Sequence, residues 1–97
     1  MKVYWTDTAQ QHLAAIHAYI AQDSPDYAIR LVDRLTRRSE QMADFPLSGR
    51  PVHEYEMDRI REVIEGTYRI IYHIKPAQID VVAVLHCARN ALRDAME

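Results

Sequence analysis

Ninety-seven residues and 11.3 kDa make one domain, small enough to bury only a little over roughly 60% of its unfolded surface. Hydrophobic residues at 48% and charged residues at 27% exclude a disordered tail, and two glycines with four prolines exclude long flexible linkers. A net charge of −2 and a pI near 6.2 argue against bulk electrostatic binding to nucleic acid, which draws its affinity from a basic surplus.

Val3, Tyr4 and Trp5 form a short β-prone run and predict a first strand. Ala9, Leu13, Ile16 and Ile20 follow at spacings of 4, 3 and 4, the apolar stripe of an amphipathic helix. Thr6 is placed to cap that helix, and Asp7 suits its positive first turn. The helix should end before Asp23-Ser24-Pro25, where Ser24 caps a second helix that has Pro25 at its first position. Ala28, Leu31, Leu35 and Met42 give the second stripe, with Arg30, Arg34, Arg37 and Arg38 mostly off it. Pro46 stops the helix, and residues 45–51, with two prolines and a glycine, read as a connector.

Beyond Asp58 the pattern changes to strands. Residues 59–64, a tight turn at Glu65-Gly66 and residues 67–74 predict a β-hairpin. Lys75 to Gln78 turn the chain into a Val-rich run, residues 79–85, apolar enough for a strand buried on both faces. Residues 88–96 are weakly helical. The expected fold is α+β, in the order β-α-α-β-β-β with a short C-terminal helix, the antiparallel sheet packed on the helical hairpin.

Charge is uneven. Residues 1–58 hold six basic and nine acidic residues, and residues 59–97 hold six and five. Ten of the twelve basic residues are arginines, suited to bidentate anion contacts. A register that matched like parities would gather Arg59, Arg61 and Arg69 on one sheet face as an anion site; the alternative is that Arg61 and Arg69 pair at the surface with Glu62, Glu65 or acidic helix residues. His86, ending the last strand near a strand arginine, is either a general acid–base group or a half-buried residue hydrogen-bonded to backbone. Tyr68 and Tyr72 are either a base-stacking platform or core. The five histidines and the single cysteine, Cys87, show no metal-ligand spacing, so neither a metal nor a cofactor is expected. One cysteine fits a reducing compartment, and the first seven residues lack the apolar run of a signal peptide. No stretch approaches the ~20 apolar residues of a membrane span. A cytoplasmic location is expected.

Trp5-Thr6 with Ala9 and Leu13, Ile16-x-x-Tyr19-Ile20, Asp23-Ser24-Pro25 and Phe45-Pro46-x-x-Gly49-Arg50 occur in that order. Ile60-Arg61-Glu62, Tyr68-Arg69-Ile70-Ile71-Tyr72 and Val84-Leu85-His86-x-Ala88-Arg89 complete the series. Over this span the chain resembles the ParE/RelE toxin superfamily of bacterial type II toxin–antitoxin modules. The resemblance implies a toxin neutralised by a cognate antitoxin, in settings of plasmid stabilisation or growth arrest. ParE-like members poison DNA gyrase by binding it; RelE-like members cut mRNA on the ribosome with strand and C-terminal basic residues and a late tyrosine. Arg69 matches the first arginine of the ribonuclease set, and Arg59 and Arg61 lie near its strand lysines. The second arginine aligns with Cys87, and no tyrosine follows Tyr72. The ribonuclease set is therefore incomplete, and Asp-Ser-Pro, Phe-Pro-x-x-Gly-Arg and Val-Leu-His favour the ParE-like branch. The resemblance leaves as alternatives a ribonuclease using Arg61, Arg69 and His86, and a diverged member that only binds its antitoxin. For target or antitoxin contact it points to Arg59, Arg61, Arg69, His86, Arg89 and Arg93.

Overall fold

Both helices begin at their capping residues. Helix α1 spans Asp7–Ala21 and α2 spans Pro25–Asp44 in this computed structural model, which describes residues 1–52 and 54–88. Thr6 Oγ1 accepts the Ala9 N–H at 3.2 Å, and Ser24 Oγ accepts that of Tyr27 at 3.3 Å. A single turn of 3₁₀ helix, Pro46–Ser48, follows α2 where Pro46 ends it.

The strands are β1 (Lys2–Trp5), β2 (Arg50–Pro51), β3 (Ile60–Glu65), β4 (Tyr68–Ile74) and β5 (Gln78–His86). They lie in the order β1-β5-β4-β3-β2. Two expectations need correction. The sheet is mixed, because β1 runs parallel to β5, with Lys2 opposite Gln78 and Trp5 opposite Val81. Thr6 accounts for the direction: its N–H and its hydroxyl both bond to Val81 O, at 3.1 and 2.9 Å, so β1 leaves the sheet at the middle of β5 and α1 crosses the face from there. The connector, moreover, contributes the two-residue edge strand β2, with Arg50 opposite Glu62 and Pro51 opposite Arg61. Proline is tolerated there because an edge strand need not donate on its outer side.

The β3–β4 turn also lies one residue later than expected. Glu65 pairs with Tyr68, leaving Gly66 and Thr67 as the two-residue loop. Gly66 has φ of 62° and is the described chain's one residue with positive φ, which fits the glycine-first pattern of a type II′ hairpin. A two-residue loop pairs odd positions of β3 with even positions of β4, so Ile64 faces Arg69 and Arg61 faces Tyr72.

The helices cover one face of the sheet. Leu31, Leu35 and Met42 of α2 pack there against Ile70, Tyr72, Ile79 and Val81, with half-buried Leu13, Ile16 and Ile20 of α1 closing the side. Trp5 Nε1 donates to Ser39 Oγ at 3.3 Å, which gives the indole N–H a partner inside this layer. The outer face carries a second cluster of Val52, Ile71, Ala83 and Leu85, sheltered by Tyr55, Ile60 and Val82. The Val-rich run is thus buried on both faces as its composition predicts. The expected C-terminal helix lies almost wholly outside the described residues, with Arg89 and Arg93.

Candidate functional site

Register decides what the sheet arginines can do. Arg69 projects from the middle strand onto the outer face, and Arg61, opposite Tyr72, belongs to the helix-covered face. Arg59 precedes β3 and is exposed. The expected cluster of three guanidinium groups is therefore not formed, because the two-residue turn sets Arg61 and Arg69 on opposite faces.

Arg69 is 6% exposed and fully engaged with carboxylates. Its Nη1 and Nη2 donate to the two oxygens of Glu54 at 3.1 and 3.0 Å, a bidentate pairing. Nε and Nη2 donate to Glu62 Oε2 at 2.8 and 2.5 Å. Glu62 Oε1 then accepts Arg50 Nε at 2.8 Å, so the row runs Glu54, Arg69, Glu62, Arg50. Hydrogen bonding to Glu54 raises the Arg69 pKa above its ordinary value; burial opposes this, and the bonds to Glu62 reinforce it. The guanidinium is permanently charged, but the row is neutral as a whole, with Glu54 and Glu62 balancing Arg69 and Arg50. Of the acidic partners expected for it, Glu62 is one, though the pair is buried rather than at the surface. Glu54 was not singled out in the sequence, because it sits in the loop before β3, where no periodicity predicts which face it reaches.

Arg61 performs a different task. Its Nη1 reaches Leu47 O at 3.4 Å and Gly49 O at 2.9 Å, and its Nε donates to Asp58 O at 2.9 Å. On the same face the Tyr72 hydroxyl donates to Pro46 O at 2.6 Å and accepts the Gly49 N–H at 3.1 Å. Tyr72 is fully buried, and burial pushes its phenol pKa up despite the Gly49 bond. Tyr72 is core, with its hydroxyl pinning the Phe-Pro-x-x-Gly-Arg connector. Gly49 is required there, since a Cβ would lie 2.7 Å from Glu62 O and closer still to the Tyr72 hydroxyl.

At the opposite end of the sheet, His86 pairs with Tyr68 and meets its ring edge-on at 6.0 Å between centroids. Its neighbour Leu85 is the residue opposite Arg69, so His86 and Arg69 lie on opposite faces. The expected His–Arg proximity is therefore not formed. His86 Nδ1 accepts the Ala88 N–H at 3.2 Å, the backbone bond of its alternative reading, but the residue is exposed rather than half-buried. A groove of about 350 Å³ beside it is lined by His12, Ile16, Tyr19 and Tyr68. Burial, then Tyr27 and Tyr19, raise the Tyr68 pKa, which holds that phenol neutral. Cys87 is exposed, and its N–H donates to Thr67 O at 2.8 Å. Among the described residues no three His, Cys, Asp or Glu side chains are grouped to hold a metal ion, and no helix is long and apolar enough to cross a membrane.

These features can be set beside known proteins. Residues 3–91 match the family model described as ParE toxin of type II toxin-antitoxin system, parDE. A protein named as toxin Y4kP of Sinorhizobium fredii is 34% identical over 89 residues, covering 88% of this chain and 86% of that protein. Toxin RelE2 of Caulobacter vibrioides is also 34% identical over 89 residues, covering 91% of this chain and 97% of the relative. Among solved structures, a chain of the chromosomal ParDE system from P. aeruginosa superposes with a TM-score of 0.73 at 19% identity, over 89% of this chain and 95% of that one. A chain of the RelBE2 toxin–antitoxin complex from Mycobacterium tuberculosis gives 0.63 at 22% identity, over 88% and 95%. The helical hairpin on a five-stranded sheet, the ordered Phe-Pro-x-x-Gly-Arg connector and the near full-length family match lead to one conclusion: the chain belongs to the ParE toxin family, within the ParE/RelE superfamily of type II toxin–antitoxin toxins.

Proposed function

We propose that this toxin acts as a binding poison of DNA gyrase, held inactive by a cognate antitoxin, and that it is not a ribonuclease. The observation that carries this reading is the caged Arg69. A nuclease arginine must present its guanidinium to developing phosphoryl charge, because preorganised donors aimed at that charge are the catalytic device. Here the same side chain is 8% exposed and spends its donors on Glu54 and Glu62. Delivering it to RNA would break a buried bidentate pair and leave two carboxylates facing a polyanion. The net charge of −2 weighs in the same direction. A binding inhibitor needs none of this machinery, so the incomplete ribonuclease set is consistent with it.

Within this reading Arg69 is structural, Arg61 positions the connector, and Arg59 is a target contact. His86 is a contact for the antitoxin or target, and Arg89 and Arg93, which follow it in the sequence, are proposed to share that role. The name RelE2 carried by the Caulobacter relative keeps the ribosomal reading as the one to test against. Induction of the toxin in cells, followed by parallel analysis of plasmid DNA and mRNA ends, separates the two. Gyrase-dependent linear plasmid with intact mRNA is the expected result. Codon-phased mRNA cuts without DNA breaks would contradict it.

A further inference from the structure

The chain's single phenylalanine is not in its core. Phe45 and Leu47 are each 70% exposed, two residues apart on the 3₁₀ turn between α2 and β2. Isolated exposed apolar side chains are ordinary, but the backbone that carries these two is unusually constrained. Phe45 O accepts Ser48 N–H at 2.9 Å, Pro46 O accepts the Tyr72 hydroxyl, and Leu47 O and Gly49 O accept Arg61. Gly49 N–H is held by Tyr72 as well. Two side chains of the sheet, one of them fully buried, therefore fix a surface loop whose outward residues are a phenylalanine and a leucine. Such pre-ordering lowers the entropic cost of association, the usual property of an interface anchor.

The surroundings of the loop define its partner. A depression of about 390 Å³ beside Leu47 is lined by Met1, Arg59, Arg61 and Lys75, with Asp58 the acidic residue among its lining. The exposed methionine at its edge adds apolar area, and Arg59 and Arg61 outnumber Asp58, Lys75 being paired with Asp80. The complementary surface is apolar at the centre and carboxylate-bearing at the rim.

We propose that the Phe45–Gly49 loop is a preformed knob that seats Phe45 and Leu47 in an apolar, carboxylate-rimmed pocket of the protein that the toxin poisons. The proposal rests on the gyrase reading and names the part of the toxin that makes the contact. Tyr72 and Arg61 are its positioning residues.

The test is a titration of purified gyrase and supercoiled plasmid with three toxin variants, each checked by its melting temperature. Phe45→Ala with Leu47→Ala removes mostly exposed atoms and should melt close to the wild type. It should raise the concentration for half-maximal linearisation roughly thirtyfold or more, the loss expected of central interface anchors. Tyr72→Phe keeps both apolar side chains but releases Pro46 O and Gly49 N–H, leaving the loop to Arg61, and should raise that concentration by a smaller factor. Arg59→Glu, on an exposed side chain, should raise it and weaken the salt sensitivity of the effect. Wild-type potency in the folded double variant overturns the proposal, as does unchanged potency in Arg59→Glu if the double variant folds poorly. If wild-type toxin fails to linearise plasmid at all, the gyrase reading fails instead. Growth arrest then replaces linearisation as the readout, and undiminished arrest by the loop variants overturns the knob separately.

Discussion

Arg69 shows how one side chain's surroundings decide its role. In isolation a strand arginine between two tyrosines suggests anion recognition, yet burial between Glu54 and Glu62 commits it to internal pairing. Removing one partner from a buried ion pair strands charge in a poorly solvated site and costs about 3–5 kcal/mol. Arg69→Ala should lose about that much in urea denaturation. The neutral set Glu54→Gln, Glu62→Gln and Arg69→Met should recover most of the loss, because it leaves no buried charge unpaired; Arg50, whose side chain is 69% exposed, turns to solvent. A folded Arg69→Ala variant less than about 1 kcal/mol below wild type would show that the row carries little of the fold. Tyr72 is the second such residue. Tyr72→Phe keeps the buried ring but leaves Pro46 O and Gly49 N–H without their hydroxyl partner, and should cost about 1–3 kcal/mol by the same measurement.

At the scale of elements, local chemistry and long-range pairing were unequally legible. Thr6 and Ser24 could be named as caps because a hydroxyl before an apolar stripe needs nothing distant to act. Leu31, Leu35 and Met42 likewise declared the buried face of α2, and the Val-rich run declared β5. The parallel pairing of β1 was not readable, since four residues acquire a direction only from Val81, far away in the chain. The arginine register was not readable either. It turns on the β3–β4 loop having two residues, which pairs odd with even positions, and Glu54 reaches Arg69 from a loop with no period to follow. Caps therefore give the element-scale prediction. Ser24→Ala, at an exposed cap, should cost about 1 kcal/mol. Thr6→Ala should cost more, because the Thr6 hydroxyl also bonds Val81 O; equal losses in thermal unfolding would contradict the tie to β5. The β4–β5 turn offers a pH test. Burial alone would raise the Asp80 pKa, but hydrogen bonds from Lys75 and Gln78 outweigh it and hold the carboxyl below its ordinary value. A depressed folded-state pKa contributes stability above the unfolded value and loses it as pH falls through the folded one. The wild type should therefore weaken as the pH falls below the ordinary carboxylate value, and Asp80→Asn should show a flatter acid slope. Identical slopes would remove Asp80 from the acid response.

For the whole molecule, the distribution of roles matters more than any single group. One sheet face is committed to the helices, and the other is closed by a small apolar cluster and the Glu54–Arg69–Glu62–Arg50 row. Among the described residues the exposed Phe45–Leu47 loop lies at one end of the sheet and the tyrosine–histidine groove at the other. The most direct measurement incubates purified, antitoxin-free toxin with gyrase, ATP and supercoiled plasmid, in parallel with translating ribosomes and mRNA. The account predicts linear DNA that requires gyrase, unaffected by neutralising the Arg69 row in a folded variant, and no mRNA cuts. Codon-phased mRNA cleavage that disappears with the Arg69 row neutralised, and no linear DNA, would contradict it.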